Sequence, residues 1–442
     1  MILLRGGTVL TMDAARTVRR ADVLIDGGRI ARIGNVKPAR GAEIVDCEGK
    51  AVLPGLIQAH VHLCQTLFRN RADGLDLLDW LQQRIWPYEA AHDGRSLAFS
   101  ARLGIAELLL GGTTTVLDMA TVRHTEAVLR AAEQSGIRYT GGKCLMDEGA
   151  SPLREESGAA IEEAEALGRK WHGAAGGRIR WALCPRFALS CTPFLLRRVR
   201  DLSAREGWLV HTHASESRRE VELVREQTGS DNVAYLNRAG LCGPRTVLAH
   251  CVHVTPDEVR VLAQTATSVA HCPGANLKLA SGYAPLPRML AARVNVALGA
   301  DGAACNNALD VFHEMRLAAT MHLPEYGAAA ISPSEVLAMA TLRGAEALGL
   351  SRELGSIERG KKADVTVLDL RAPHFQPAGD DLHATIVHCA RASDVTDVLV
   401  DGRILVRNRR LLTLDAGRLA DSASSEARRI RAAAPSASTG AR

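Results

Sequence analysis

The centre of the chain alternates between short apolar runs and longer segments that carry an apolar stripe. Eight apolar runs have strand character: LPGLIQAHVHL, TTTVLDM, IRYTGGKCLM, IRWALCPRF, WLVHTHASE, TVLAHCVH, TSVAHCPGANL and VNVALGADGAA. Helical patterns separate them, and in one of these Thr255 and Pro256 mark the helix start. Eight strands that alternate with helices predict a (β/α)8 barrel of the α/β class. A doubly wound open sheet is the alternative, but no GxGxxG turn follows the first strand.

Both ends of the chain carry short strands joined by tight turns instead. The segments VLIDGGRI near the N-terminus and VLVDGRIL near the C-terminus are almost the same. Asp-Gly between apolar runs indicates a hairpin. We therefore expect one composite β-sandwich from residues 1–55 and 356–412, although two unrelated hairpins would give the same pattern. The barrel would then span residues 56–355, and a helical or disordered tail would span residues 413–442.

Composition and charge narrow the class of protein. Of the 442 residues, 47% are hydrophobic and 23% are charged, which is typical of a globular chain. No run approaches the ~20 apolar residues of a membrane span, and no signal-peptide pattern is present. The net charge of +5 arises from 54 basic and 49 acidic residues that are interspersed, which argues against nucleic-acid binding. The ten cysteines form no CxxC pair, so we expect a cytoplasmic protein with no membrane or nucleic-acid partner.

Polar residues gather where the predicted barrel strands end, which is where barrel enzymes place their active sites. They are His60, His62, His211, His213, Glu216, His250, His271 and Asp301. Residues two apart on a strand point to the same side, so His60 and His62 can share one metal ion. Imidazole with carboxylate suits zinc, with iron, manganese and nickel as rivals. His211 competes with His213 as a ligand, and we prefer His213 because it lies nearer the strand end.

The order of these motifs resembles the amidohydrolase superfamily. The segments are PGLIQAHVHL, HTHASE, LAHCVH, HCPGANLKL, GADGAACNN and, outside the barrel, GSIERGKKADVTVLD. More narrowly, they resemble the branch that contains guanine deaminase, the 5′-deoxyadenosine, methylthioadenosine and S-adenosylhomocysteine deaminases, and the triazine chlorohydrolases. The resemblance implies that one divalent metal is held by four residues: His60, His62, His213 and Asp301. Strand four lacks the lysine that two-metal amidohydrolases usually carboxylate, which favours a single ion.

The resemblance also implies hydrolytic deamination of an aminopurine, with release of ammonia. The metal would lower the pKa of a bound water. Asp301 and His250 would orient this water and accept its proton, and Glu216 would protonate the ring nitrogen beside the carbon under attack. Glu216, His250 and Asp301 are therefore the predicted catalytic residues.

The residues expected to contact substrate resemble those of two different groups of enzymes. Gln65 and the strand-four end, Arg186 and Phe187, resemble guanine deaminase. Trp80 and Glu89 match positions that bind the base and the ribose hydroxyls in the 5′-deoxyadenosine and S-adenosylhomocysteine group. We expect an adenine nucleoside such as 5′-deoxyadenosine, methylthioadenosine or S-adenosylhomocysteine.

Other functions are also compatible with these motifs. Guanine deamination is the alternative activity, and triazine dechlorination is a weaker one because it would not require the proton donor Glu216. A non-enzymatic scaffold is a further hypothesis, but all the ligand positions are filled. We also expect a homo-oligomer.

Overall fold

The computed structural model describes residues 1–38 and 40–435. The strands are β1 (Ile2–Leu10), β2 (Val18–Asp26), β3 (Arg29–Gly34), β4 (Glu43–Asp46), β5 (Lys50–Pro54), β6 (Leu56–His62), β7 (Thr113–Met119), β8 (Arg138–Gly142), β9 (Cys144–Leu145), β10 (Ile179–Pro185), β11 (Leu209–Ala214), β12 (Thr246–His250), β13 (Ser268–His271), β14 (Val296–Leu298), β15 (Asp301–Gly302), β16 (Val365–Asp369), β17 (Val395–Val400), β18 (Arg403–Arg407) and β19 (Arg410–Leu411). The helices are α1 (Leu77–Trp80), α2 (Trp86–Ala90), α3 (Gly94–Leu110), α4 (Thr125–Ser135), α5 (Ser157–Trp171), α6 (Ala174–Gly177), α7 (Pro193–Glu206), α8 (Arg218–Thr228), α9 (Asn232–Arg238), α10 (Pro256–Gln264), α11 (Pro273–Lys278), α12 (Leu286–Ala291), α13 (Val311–Thr320), α14 (Leu323–Tyr326), α15 (Pro333–Met339), α16 (Leu342–Ala347), α17 (Leu382–Cys389) and α18 (Ala416–Ala433).

The central strands form the predicted barrel. The parallel order is β6, β7, β8, β10, β11, β12, β13 and β14. β15 follows β14 after two residues and pairs with β6, so the sheet closes on itself. All residues of β6 and of β7 are buried, as expected for parallel strands covered by helices. The predicted helix start at Thr255 is confirmed, because its side chain accepts a hydrogen bond from the backbone N–H of Glu258 at the start of α10.

The two ends of the chain meet in a second sheet. Its order is β19, β18, β17, β16, β5, β1, β2 and β3, with β4 also paired to β1. The two similar segments form equivalent hairpins, β2–β3 and β17–β18, whose turn residues Gly27, Gly28, Asp401 and Gly402 all have positive φ. Apolar side chains such as Val23, Val52 and Val367 form a core of their own within this sheet. The predicted fold class is therefore confirmed, while the domain boundaries stay a prediction.

Ion pairs join the terminal sheet to the barrel, and the last helix packs on a barrel helix. Arg138 on β8 donates to Asp364 next to β16 at 2.8 and 2.9 Å and to Asp401 at 2.7 Å, with its own side chain buried. Helix α18 packs on α3, so part of the predicted tail is helical, whereas residues 436–442 lie outside the described residues. Among the helices of the described ranges, none combines the length and apolar character needed to cross a bilayer.

Candidate active site

The barrel brings the predicted ligand residues to one end. His60 and His62 lie at the end of β6, His213 lies near the end of β11 and His250 ends β12. Asp301 begins β15, which pairs with β6 so that Asp301 lies opposite Val61, between the two β6 histidines. Because parallel strands end at the same rim, residues that are far apart in the sequence converge there.

The distances between four of these side chains suit a tetrahedral metal ion. The Oδ1 atom of Asp301 lies 3.2 Å from Nε2 of His60 and 3.4 Å from Nε2 of His62. The Nε2 atoms of His62 and His213 are 3.2 Å apart. A tetrahedral zinc ion with ligands at about 2.0–2.1 Å separates its ligand atoms by about 3.3 Å. The donor set therefore fits one divalent cation.

In His62 and His213, the ring nitrogen that points away from the centre, Nδ1, makes a hydrogen bond to a backbone carbonyl oxygen. Nδ1 of His62 donates to the carbonyl oxygen of Met119 at 2.8 Å, and Nδ1 of His213 donates to that of Arg186 at 2.7 Å. A carbonyl oxygen only accepts, so both rings carry hydrogen on Nδ1 and present the Nε2 lone pair to the centre.

His211, the predicted competitor of His213, contacts His60, which is one of the predicted ligands. Its Nε2 lies 2.7 Å from Nδ1 of His60, and its Nδ1 donates to the carbonyl oxygen of Val247 at 3.1 Å. Both nitrogens of His211 are therefore engaged. Nε2 of His60 is buried and has no hydrogen-bond partner among the described residues, which leaves it available to an ion.

Burial keeps the ligand histidines neutral. It lowers the pKa of His62 to about 4, with a further contribution from His60, and it lowers the pKa values of His60 and His213 as well. A neutral imidazole offers a lone pair to a metal, whereas a protonated ring does not. The centre is thus prepared to bind a cation at neutral pH.

Two buried carboxyl groups near the centre have opposite protonation preferences. Burial raises the pKa of Glu216 well above its ordinary value, and the charges of Asp301 and Glu220 raise it further. Burial alone would also raise the pKa of Asp301, but His60, His250 and His62 lower it well below the ordinary range. Environments that separate two carboxyl groups in this way produce one acid and one base. Nε2 of His250 lies 3.4 Å from Oε2 of Glu216 and 3.8 Å from Oδ2 of Asp301.

Glu220 is a residue of this site that the sequence did not single out. Its Oε2 accepts a hydrogen bond from the backbone N–H of Glu216 at 2.7 Å, and its Oε1 accepts one from Nδ2 of Asn232 at 2.6 Å. Glu220 lines the cavity and is buried. The segment Ser217 to Glu220 is a capping box at the start of α8, a pattern that marks a helix start and does not by itself indicate support for Glu216.

A small cavity opens beside the centre. Among its lining residues are Glu216 and four of the predicted substrate contacts, namely Gln65, Trp80, Arg186 and Phe187. Glu89, the fifth, lies behind this wall. Its carboxylate accepts two hydrogen bonds from Arg186, at 2.7 and 3.2 Å, and one from Nε2 of Gln65 at 3.0 Å. Burial would raise the pKa of Glu89, but the Arg186 guanidinium lowers it below the ordinary value.

Comparison with known proteins agrees with this geometry and confirms the resemblance. A 5-methylthioadenosine/S-adenosylhomocysteine deaminase from Moorella thermoacetica is 39% identical, over 94% of this chain and 96% of the relative. A 5′-deoxyadenosine deaminase from Methanothermobacter thermautotrophicus is also 39% identical, over 94% of this chain and 95% of the relative. The crystal structure of an adenosine deaminase from Xanthomonas campestris with bound zinc matches with a TM-score of 0.91 at 33% identity, over 98% of both chains. Residues 51–405 match the amidohydrolase family model, and the chain belongs to the amidohydrolase family.

Proposed function

We propose that this chain is a metal-dependent hydrolase that deaminates an adenine nucleoside and releases ammonia. His60, His62, His213 and Asp301 would hold one divalent ion, and zinc suits three imidazoles with one carboxylate. The observation that carries the proposal is the spacing of 3.2 to 3.4 Å between their ligand atoms, next to the buried carboxyl group of Glu216, which lines the cavity. The deaminase names of the relatives support the same reaction.

The two carboxyl groups divide the proton transfers. When bound, the metal ion would supply Lewis-acid activation of water. Asp301 is ionised and accepts the proton of the attacking water, with His250 beside it. Glu216 is protonated and donates to the ring nitrogen next to the carbon that carries the amine, which makes that carbon electrophilic. The oxygen of the water bonds to that carbon, Asp301 passes its proton to the amine, and the carbon–nitrogen bond breaks to release ammonia. The hydroxyl group left on the carbon returns a proton to Glu216.

The wall of the cavity would bind the nucleoside through stacking and a fixed guanidinium. Trp80 and Phe187 offer aromatic faces to the base, and Arg186 is held in place by Glu89. Three hydrogen bonds from Arg186 and Gln65 and a thiol contact from Cys64 occupy the carboxylate of Glu89, so its predicted contact with ribose hydroxyls would require these partners to move.

Guanine deamination is the second candidate. Arg186 and Gln65 lie together on the cavity wall, and Oε1 of Gln65 has no partner among the described residues. A guanidinium can donate to a ring carbonyl, and an amide oxygen can accept from a neighbouring ring N–H. Adenine lacks this carbonyl, so the two candidates differ in a testable way.

The deciding experiment measures ammonia release by the zinc-loaded protein from adenosine, 5′-deoxyadenosine, methylthioadenosine, S-adenosylhomocysteine and guanine in parallel. We expect at least one adenine nucleoside to exceed guanine in kcat/KM by about 100-fold or more, as hydrogen-bonding sites discriminate strongly. A higher kcat/KM with guanine would replace the first proposal with the second. No ammonia from any substrate, with chloride released from a chlorotriazine, would contradict both.

Homo-oligomer formation and a cytoplasmic location stay predictions. Light scattering coupled to size-exclusion chromatography tests the first, and fractionation of cells that express the protein tests the second. A monomer at micromolar concentration would contradict the predicted assembly.

A further inference from the structure

His250 is fixed on one side by an amide that the proposed reaction does not use. Its Nδ1 lies 2.8 Å from Oδ1 of Asn276, and its Nε2 faces Glu216 and Asp301. An amide oxygen only accepts, so Nδ1 carries the hydrogen in this contact. Nε2 is then the nitrogen that can exchange a proton inside the cavity. Both residues are fully buried.

Asn276 is itself held at a defined position. It lies on α11, the short helix that follows β13. Its backbone carbonyl oxygen accepts a hydrogen bond from the backbone N–H of Ser281 at 2.8 Å. The start of this helix is tied to α13, because the backbone N–H of Gly274 donates to Oε2 of Glu314 at 2.9 Å. A Cβ atom at Gly274 would lie 2.5 Å from Oε1 of Glu314, so a larger residue at this position would displace the carboxylate.

Glu314 connects that helix to the segment that follows β14. Its Oε1 accepts from Nδ2 of Asn306 at 2.8 Å, and the same Nδ2 donates to the carbonyl oxygen of Ala300 at 2.8 Å. Ala300 directly precedes Asp301. One buried carboxyl group therefore fixes both the element that carries Asn276 and the backbone that carries a predicted ligand.

We propose that Asn276 is a positioning residue for His250. Its amide oxygen accepts a hydrogen bond from Nδ1–H, which sets the tautomer and the plane of the ring so that Nε2 faces Glu216 and Asp301. Glu314 holds the helix that presents the amide. The catalytic consequence rests on the proposed function, whereas the tautomer does not depend on any substrate.

The direct test is NMR of the zinc-loaded protein labelled with ¹⁵N-histidine, with the His250 signals identified by their loss in His250→Gln. We expect Nδ1 of His250 to carry a hydrogen in the wild-type protein. In Asn276→Leu, which has a similar shape and no acceptor, we expect Nδ1 to lose this hydrogen in a measurable fraction of molecules. Asn276→Asp keeps an acceptor and should retain it. An unprotonated Nδ1 in the wild-type protein, or a spectrum of Asn276→Leu identical to wild type, would overturn the proposal.

Kinetics give a second readout. We expect kcat of Asn276→Leu to fall about 10- to 100-fold, the range typical of residues that orient a histidine in a metal site, with KM changed less than about 3-fold. Asn276→Asp should recover most of this loss. A fall in kcat of Asn276→Asp as large as that of Asn276→Leu would contradict the acceptor role.

Asn295→Leu is the matched control. Nδ2 of Asn295 donates to Oγ of Ser268 at 3.0 Å and to the carbonyl oxygen of Arg343 at 3.1 Å. These contacts lie where β13 and β14 begin, at the end of the barrel opposite the cavity. This variant should lose stability and leave the His250 signals unchanged. If Asn276→Leu does not fold, the wild-type spectrum and Asn276→Asp still decide the proposal. If no nucleoside is turned over, the deaminase proposal fails while the Nδ1–H result stands.

Discussion

The four predicted metal ligands, here called the metal-facing wall (His60, His62, His213 and Asp301), lie on barrel strands. The substrate-facing wall of the cavity (Gln65, Trp80, Arg186 and Phe187) lies on segments that follow strands. On the metal-facing wall, Nδ1 of two ligand histidines is held by a backbone carbonyl of a neighbouring strand or strand end. The hydrogen-bonded barrel therefore sets these positions, and few side chains outside it contribute.

The substrate-facing wall depends on side chains from distant parts of the chain. Arg186 is held by Glu89, which lies 97 positions earlier in the sequence. The short helix Leu63–Phe68, which carries Gln65, packs against α3 and the C-terminal helix α18. We therefore expect side-chain changes on this wall to leave the barrel strands in place. The comparison therefore indicates that metal binding and substrate selection are separable properties, and the variants below test that separation.

The largest effect is expected for His62→Ala. The change removes one of four ligands, so we expect zinc content to fall below about 0.1 equivalents and kcat/KM to fall by more than about 10³-fold. Metal analysis and ammonia release measure the two losses. His374→Ala is the control, since His374 contacts Asp394 at 2.9 Å outside the cavity. A His62→Ala protein with full zinc content would contradict the ligand assignment.

Glu216→Gln should lose turnover and keep its metal. Glutamine has the same shape but cannot donate an acidic proton, so kcat should fall by about 10²- to 10⁴-fold, the range of general acid–base catalysis. Zinc content should remain at one equivalent per chain. Glu226→Gln, an exposed change on α8, is the control. Near-normal kcat in Glu216→Gln would remove the proton-donor role.

The metal-facing wall could be predicted from the sequence because its rules are local. Alternation along a strand pairs His60 with His62, and parallel strands bring their ends to one rim. The same rule could not choose between His211 and His213, because residues two apart point to the same side. The contacts in the structure favour His213, since both nitrogens of His211 are engaged elsewhere, and the ligand assignment stays a prediction.

The substrate-facing wall was less predictable for a physical reason. The contact between Glu89 and Arg186 joins two segments with no shared periodicity, so no pattern in the sequence indicates the pair. Glu89 was expected to reach ribose hydroxyls directly, and that role stays a prediction. Glu220 and Asn276 were missed because their side chains act on neighbouring residues, and contacts of this kind appear only when the loops are in place.

Arg186→Met tests whether the substrate-facing wall acts independently of the metal. The change leaves Glu89 buried without its partner, so we expect a loss of about 3–5 kcal/mol in the free energy of unfolding. We also expect kcat/KM to fall about 10- to 100-fold, mainly through KM, with zinc content unchanged. The double variant Glu89→Gln with Arg186→Met removes the unpaired charge. It should regain stability without regaining kcat/KM. Loss of zinc in either protein would contradict the separation of the two walls.

The smallest effect on catalysis is expected for Ile430→Ala on α18. Ile430 is buried in the same apolar cluster as Leu67, Phe68 and Trp80, so it supports the substrate-facing wall from outside the barrel. We expect a loss of about 2 kcal/mol in the free energy of unfolding and a rise in KM of about 2- to 3-fold, with kcat and zinc content unchanged. Ile386→Ala is the matched control, because Ile386 is equally buried but lies on α17 in the other large cluster. It should cost similar stability and leave KM unchanged. Equal KM values in the two variants would mean that α18 stabilises the fold without shaping the cavity.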